Sequence, residues 1–190
     1  MYGLHLAIYN EDTNKFEKPI PILGSVNFSL TPEGDTAQFF ADNHLFHVQT
    51  QDNGFTGDLQ MARFPEDYLV AVLGWVFDDN GMLVEVSSAS QKPHALLFEV
   101  MGTNSPLRVV LYNCIGSKPT RSYRTNETSP RFEGESMSIT VTPFDFGWIS
   151  AAKASIVKEE NHAAFDSFFN AVMEPKDPLT AKPGGGDSAP

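Results

Sequence analysis

The sequence predicts a mainly β fold of two packed antiparallel sheets, a sandwich or flattened barrel, with one short internal helix and an amphipathic helix near the C-terminus. Three observations carry that expectation. The composition favours strands and turns, with 15 Phe, 14 Gly and 13 Pro among 190 residues. Apolar and polar residues alternate with a period of two through "SVNFSL" and "FTGDLQM", as on a sheet with one wet face. Two continuously apolar runs, "HALLFEVM" and "LRVVLYNCIG", flank the turn formers "GTNSP", which describes a central hairpin covered on both faces.

The elements follow in chain order. Tyr2 to Tyr9 reads as a first strand, and "NEDTNKFEKP" after it as a polar excursion. Val26, Phe28 and Leu30 then share one face of a strand, with Asn27 and Ser29 on the other. "TAQFFADNHLFHVQTQDNGFTGDLQMARF" predicts three short strands separated by "ADN" and "QDNG", the last with Phe55, Gly57, Leu59, Met61 and Arg63 on one face. At Pro65 the pattern changes: "PEDYLVAVLG" has proline at a helix start, two acids in the first turn and Gly74 just past the end. Leu69, Val72 and Leu73 line one face of that helix. After the turn "DDNG", a strand resumes in "MLVEVSS".

Beyond the central hairpin, Met137, Ile139 and Val141 mark an alternating strand, and Ala151 to Val157 another. Phe165, Phe168, Phe169 and Val172 fall at i, i+3, i+4 and i+7, the spacing of a helix that docks its apolar face on the sheet. On that reading Phe169→Ala costs about 3–5 kcal/mol. The helix stops before Pro175, because a residue preceding proline disfavours the helical conformation. The domain expected is 1–174, followed by a flexible Pro/Gly-rich tail over 175–190 with nothing to bury.

Charge and cysteine content exclude several classes of function. A formal net charge of −11 repels phosphate backbones and opposes tight nucleic-acid binding. Cys114 is the sole cysteine, so neither an internal disulfide nor a thiolate zinc cluster can form. The N-terminus has no basic flank leading into a long apolar stretch, so no secretory signal is expected. The run from Tyr68 to Phe77 is about half of the roughly 20 residues that span a bilayer.

The acidic "DNG" and "DDNG" segments invite a calcium-loop reading, and the spacing rejects it. With Gly81 at the sixth loop position, Val76 and Ser87 occupy the first and twelfth; with Gly54 there, Gln49 and Gln60 do. Both segments read instead as tight turns. His44 and His47 in "HLFH" point to opposite faces of a strand and cannot share an ion. No phosphate-binding loop, dinucleotide glycine pattern, H-E-x-x-H or nucleophile elbow occurs. Cys114 lies in an apolar strand, where an inert thiol is expected. The chain is therefore expected to hold no catalytic residue, no metal and no cofactor.

One segment runs against the acidic background. "SKPTRSYRTNETSPR" carries Lys118, Arg121, Arg124 and Arg131 against a lone Glu127. Contact with nucleic acid, contact with the acidic body of a second copy, and a solvated loop all remain open at this level.

Taken in order, "YGL", "PIPILGSVNFSLTPEGDTAQFFADN", "DNGFTGDLQMARFPEDYLVAVLG", "DDNGMLVE", "ALLFEV" with "RVVLYNC", and "FDSFFNAVMEP" resemble the major tail protein (tail tube protein) family of long-tailed, non-contractile bacteriophages infecting Gram-positive hosts. Together they span nearly everything up to Pro175. The resemblance implies the phage tail-tube fold and hexameric rings that stack around a tape-measure protein. Initiator (distal) and terminator proteins bound the tube, and double-stranded DNA passes through the lumen without specific binding. It implies a virion tail component assembled in the host cytoplasm, with no membrane partner. Two departures stand out. Phe168 and Phe169 occupy an aromatic pair in which a Trp is expected, and the tail after Glu174 has no counterpart.

The candidate contacts between subunits or rings are Asp42, Asn43, Asp52 and Asn53, within the Thr36 to Phe64 region, and Lys118, Arg121, Arg124 and Arg131. Three rival readings make different demands. A monomeric binding module for carbohydrate or a host surface would expose an aromatic platform at Trp75 or Trp148. A carboxylate hydrolase would need a concave cluster of acids. The tube protein of a related contractile or secretion system would share the architecture.

Overall fold

Period-two alternation builds one large antiparallel sheet. The computed structural model describes residues 1–41, 44–101, 105–123 and 134–178. The first strands are β1 (Tyr2–Asn10), β2 (Lys15–Phe16), β3 (Ile20–Pro21), β4 (Ser25–Ala41) and β5 (His44–Met61). Helix α1 (Glu66–Leu73) and a ribbon of β6 (Val76–Phe77) and β7 (Leu83–Val84) follow. Then come β8 (His94–Met101), β9 (Pro106–Gly116), β10 (Glu135–Thr142), β11 (Phe144–Asp145), β12 (Ser150–Ala151), β13 (Lys153–Val157) and α2 (His162–Ser167).

Among the described residues the main sheet runs β2-β1-β8-β9-β10-β5-β4, with β3 also on β1 and β13 also on β9. The two-sheet expectation is met differently from its wording. One hydrogen-bonded sheet forks at β9, whose edge pairs with β13 over Leu107–Leu111 and with β10 over Asn113–Gly116. The sheet then curls. Phe28 of β4 meets Phe98 of β8 edge-on, with ring centroids 5.8 Å apart. Strands four places apart in a flat sheet would be separated by about 19 Å, so the contact requires closure into a flattened barrel.

Inside the curl, Leu4, Leu6, Leu59, Met61, Leu96, Leu111, Met137, Ile139 and Val141 pack with Tyr68, Leu69 and Val72 of α1. Each fully buried side chain of this size contributes roughly 1.5–3 kcal/mol. The opposite face of β1, β8 and β9 presents Ala7, Ala95, Leu97, Val110 and Tyr112, covered by Phe168 and its neighbours. This two-sided burial is why β8 and β9 read as unbroken apolar runs.

Helix α1 forms as its punctuation predicts. Pro65 caps the start in an extended conformation, Glu66 and Asp67 fill the first turn, and Gly74 ends it at φ 68° with its N–H bonded back to Leu69. A Cβ at Gly74 would stand 3.0 Å from that of Ala89 and strain the turn further. "DDNG" is the turn of the β6–β7 ribbon. The Asp78 carboxylate accepts the backbone N–H of Met82 and of Asn80, at 2.7 and 3.0 Å.

Four expectations are corrected. The 36–64 region holds two long strands, not three short ones, because β5 continues through "QDNG" by a bulge instead of turning. Val26 does not share the face of Phe28 and Leu30: a register shift between Ser25 and Asn27 turns it outward, 64 % exposed. The strand in "MLVEVSS" is only Leu83–Val84. Helix α2 ends at Ser167, so the i to i+7 spacing runs past the helix.

Candidate assembly surfaces

The β4–β5 hairpin is half body and half arm. Strand β10 pairs with β5 only from Phe55 to Met61. Beyond that point Glu33–Ala41 and His44–Gly54 pair with each other and, among the described residues, with no third strand. At about 3.3 Å per residue the arm reaches about 30 Å past the body. Its described side chains past the root, among them Asp35, Thr36, Gln38, Val48 and Thr50, are exposed. A two-stranded ribbon is marginal alone in water, and its open edges are templates for another chain.

A bulge separates body from arm. Glu33 pairs with Gly54 and Gly34 with Asp52, which leaves Asn53 without a partner in the ladder. Gly54 sits at φ 100°, and a Cβ there would run into the Val141 carbonyl. Glycine is therefore required. Asp52 accepts the Gly54 N–H at 2.9 Å, Asn53 donates to Asp35 at 3.5 Å, and Thr56 donates to Glu33 at 2.7 Å. "DNG" is thus a bulge and not a hairpin turn. Asp42 and Asn43 lie outside the described residues.

The described part of the basic segment is engaged within its own chain. Lys118 pairs with Glu85 at 2.5 Å, both half-exposed. Arg121 lies 3.0 Å from Glu135, with an N–H not aligned for a hydrogen bond, and its guanidinium sits 5.3 Å from the centre of the Trp75 ring. Glu135 also accepts the backbone N–H of Phe64 at 3.0 Å, joining this cluster to the end of β5. Arg124 and Arg131 lie outside the described residues.

At the C-terminal end, Phe165 and Phe168 are buried, while Phe169 and Val172 are half-buried against the outer face of the sheet. The residue that holds this segment was not singled out in the sequence. Arg108, on β9, pairs with Glu99 at 2.8 Å, donates to the Phe165 carbonyl, and lies 3.9 Å and 4.6 Å from the centres of the Phe165 and Phe169 rings. An arginine inside the apolar run "PLRVVLY" was the available signal. Trp148 donates to the Pro175 carbonyl at 3.1 Å, and Tyr112 to that of Met173 at 2.8 Å, so the chain is tied to the body up to the start of the expected tail.

The large pKa displacements lie in the core, while in the exposed β6–β7 turn the N–H groups of Met82 and Asn80 hold the Asp78 carboxyl below its ordinary value. Burial pushes the Tyr68 hydroxyl and the Cys114 thiol up, and pushes His94 down to about 4. His94 Nδ1 lies 3.1 Å from the Lys92 carbonyl, which can only accept, so Nδ1 carries the proton. Nε2 then accepts from the Tyr68 hydroxyl at 3.2 Å. This neutral, satisfied pair is buried and serves packing. A cavity of about 520 Å³ between β9, β13 and α2 is lined mainly by apolar groups such as Val110, Ile156 and Phe168. Among the described residues, no group of three or more His, Cys, Asp or Glu side chains is placed to hold a metal ion. Trp75 is buried and offers no platform, whereas Trp148 is 42 % exposed.

No family model and no curated protein matches the sequence. Two solved structures resemble the chain at 11 % identity and a TM-score of 0.44. One is the PVC sheath–tube complex of an extracellular contractile injection system in its extended state, matched over 83 % of this chain and 90 % of that one. The other is the anti-feeding prophage cap (AFP tube terminating cap), matched over 83 % and 89 %. A likeness of that degree carries no argument about role.

Proposed function

We propose that the protein is a structural subunit that joins copies of itself into a tube, the tail tube of a long-tailed bacteriophage, and catalyses nothing. The observation that carries this reading is the arm. A hairpin about 30 Å long, with no third strand on either edge among the described residues, loses little by leaving water and gains backbone hydrogen bonds when a neighbour lies against it. The ordered sequence resemblance to major tail proteins supports the same reading.

In this proposal, hexameric rings stack around a tape-measure protein between initiator and terminator proteins. The particle is built in the host cytoplasm, and double-stranded DNA crosses the lumen without specific binding. A contact between unlike surfaces of identical subunits closes into rings or continues as a filament, and a tube needs both. The net charge of −11 suits a duct that must not hold a polyanion.

The test is arm removal. Residues 36–50 are replaced by an Asn-Gly turn, which joins two strands without splaying them. The body keeps the β5–β10 ladder from Phe55 to Met61 and should fold. With its initiation partners, the unmodified chain should form annuli or hollow rods by negative-stain microscopy, and the trimmed chain should remain monomeric. Rods from the trimmed chain, or none from the unmodified one, would defeat the reading.

A further inference from the structure

The tripeptide Asp-Asn-Gly occurs twice, at 52–54 and at 79–81, and the fold gives the two copies opposite surroundings. Both asparagines are exposed, and both glycines have a positive φ, 100° at Gly54 and 79° at Gly81. The difference lies at the peptide joining asparagine to glycine. At 53–54 that peptide is clamped. Gly54 is buried opposite Glu33 of β4, and a Cβ on it would collide with the Val141 carbonyl of β10. Its N–H donates to the Asp52 carboxylate at 2.9 Å, and the Asn53 amide donates to Asp35 at 3.5 Å. At 80–81 the same peptide has room to turn. Gly81 is exposed, and a Cβ on it would meet, among the described residues, no atom within 4 Å. The flanking ribbon has two paired positions, Val76 with Val84 and Phe77 with Leu83, too few to hold a turn shut by themselves. Asp78 fastens the turn: its carbonyl accepts the Gly81 N–H at 3.0 Å, and its carboxylate accepts from the Asn80 amide at 3.1 Å. Hydrogen bonds in an exposed turn open at the low end of local stability.

We infer that Asn80 is a site of spontaneous modification, converting to aspartate and isoaspartate, and that the fold protects Asn53 in the same tripeptide. With no Cβ beside it, a glycine nitrogen can approach the side chain of the preceding residue. The Gly81 backbone nitrogen loses its proton and attacks the side-chain carbonyl carbon of Asn80, closing a five-membered succinimide. The bond from that carbon to the side-chain nitrogen breaks, and the nitrogen leaves with the proton as ammonia. Water then adds to one of the two imide carbonyls and opens the ring to a carboxylate, releasing a proton. Opening at the side-chain carbonyl gives aspartate. Opening at the main-chain carbonyl gives isoaspartate, with an extra methylene in the backbone. Ring closure requires the asparagine–glycine peptide to rotate, which the Val141 carbonyl and the β4 partner block at 53–54. Each event puts a negative charge where the Asn80 amide now donates to Asp78, and like charges at that separation repel. The modified turn is therefore looser than the original.

The matched tripeptides supply the test. The intact chain is kept at mildly alkaline pH and body temperature, with a parallel sample in urea. At intervals both are digested, and the peptides holding Asn53 and Asn80 are scored by mass spectrometry for the gain of a carboxylate in place of an amide. In the folded chain Asn80 should convert about tenfold faster than Asn53 or more, because its turn opens locally and the bulge does not. In urea the two should agree within about twofold, since the unfolded chain presents the same tripeptide at both places. Asn80→Gln, which would have to close a larger ring, should remove the fast event and leave the Asn53 peptide as it was. Equal rates in the folded chain, or faster conversion at Asn53, overturn the inference. A tenfold gap that persists in urea overturns it too, because neighbouring residues and not the fold would then set the rates. These rates do not depend on the tube reading, so either can fail without the other.

Discussion

The two halves of the β4–β5 hairpin share a backbone and differ in almost everything else. From Ser25 to Pro32 and Phe55 to Met61 the ribbon has a third strand, β10, on one side and a core beneath it, so Leu59 and Met61 are fully buried. Past Asp52 it has, among the described residues, no third strand. The same strand-forming residue types occur in both halves, so local preference does not separate them. Separation comes from a bulge and from where β10 ends. Sheet stability is a property of layers, whereas a ribbon without layers is a surface waiting for one.

The largest expected break in that comparison is in the core. Leu59→Ala should cost about 3–5 kcal/mol in urea unfolding, since it leaves a cavity under three strands. Phe168→Ala should cost a similar amount, and Phe169→Ala less, about 1–2 kcal/mol, because Phe169 is half-buried and keeps part of its surface in water. That ordering replaces the larger cost the sequence alone assigns to Phe169. A Phe169→Ala cost equal to that of Phe168→Ala would show the two rings to be equally enclosed.

Acid should weaken the body next. His94 takes its proton near pH 6.5 when unfolded but only at about pH 4 when folded, because burial disfavours the cation. Between those values the unfolded chain binds more protons, so stability is full above pH 6.5 and falls as pH drops towards 4. The loss amounts to about 3 kcal/mol. Urea midpoints measured across this window should fall, and His94→Gln should flatten the fall.

At the boundary, Gly54→Ala should cost about 2 kcal/mol or more, combining a positive φ with a collision against the Val141 carbonyl. Hydrogen exchange should then show faster exchange near residues 54–57 before it does in the barrel. The smallest effect belongs to the arm. Val48→Ala should move stability by no more than about 0.5 kcal/mol, as for an exposed site. A larger shift would mean that the arm is held by the body and does not stand free of it.

Several elements were legible because their signals are local. Pro65, the two acids after it and Gly74 announced α1, and Met137, Ile139 and Val141 announced β10. The bulge at Asn53 was not legible, because "DNG" supplies the same backbone freedom to a turn and to a bulge. Only the β4 and β10 partners choose between them. Val26 misled for a related reason, since period-two counting assumes an unbroken register. The Phe165 to Val172 spacing named residues that reach the sheet but overstated the helix, since tertiary packing rather than helical phase holds Phe169 and Val172 there, past the cap at Phe168.

For the candidate contacts, the letters mark the basic segment and the acidic tips. Lys118 and Arg121 nevertheless bind Glu85 and Glu135 of their own chain. The exposed ribbon residues Val76, Phe77 and Met82 were not marked at all.

What this sequence determined by itself is strand content, one capped helix, a net charge of −11, and the absence of known catalytic signatures. Those are sums or short-range patterns, set by residues within a few positions of one another. The tertiary structure alone decided that the sheet is a single curled one, that Arg108 clasps the C-terminal segment, and that half of a long hairpin leaves the body. Each of these depends on which strand lies beside which. Pairing between distant segments is settled by burial and register across the whole fold, and no short stretch of letters contains it.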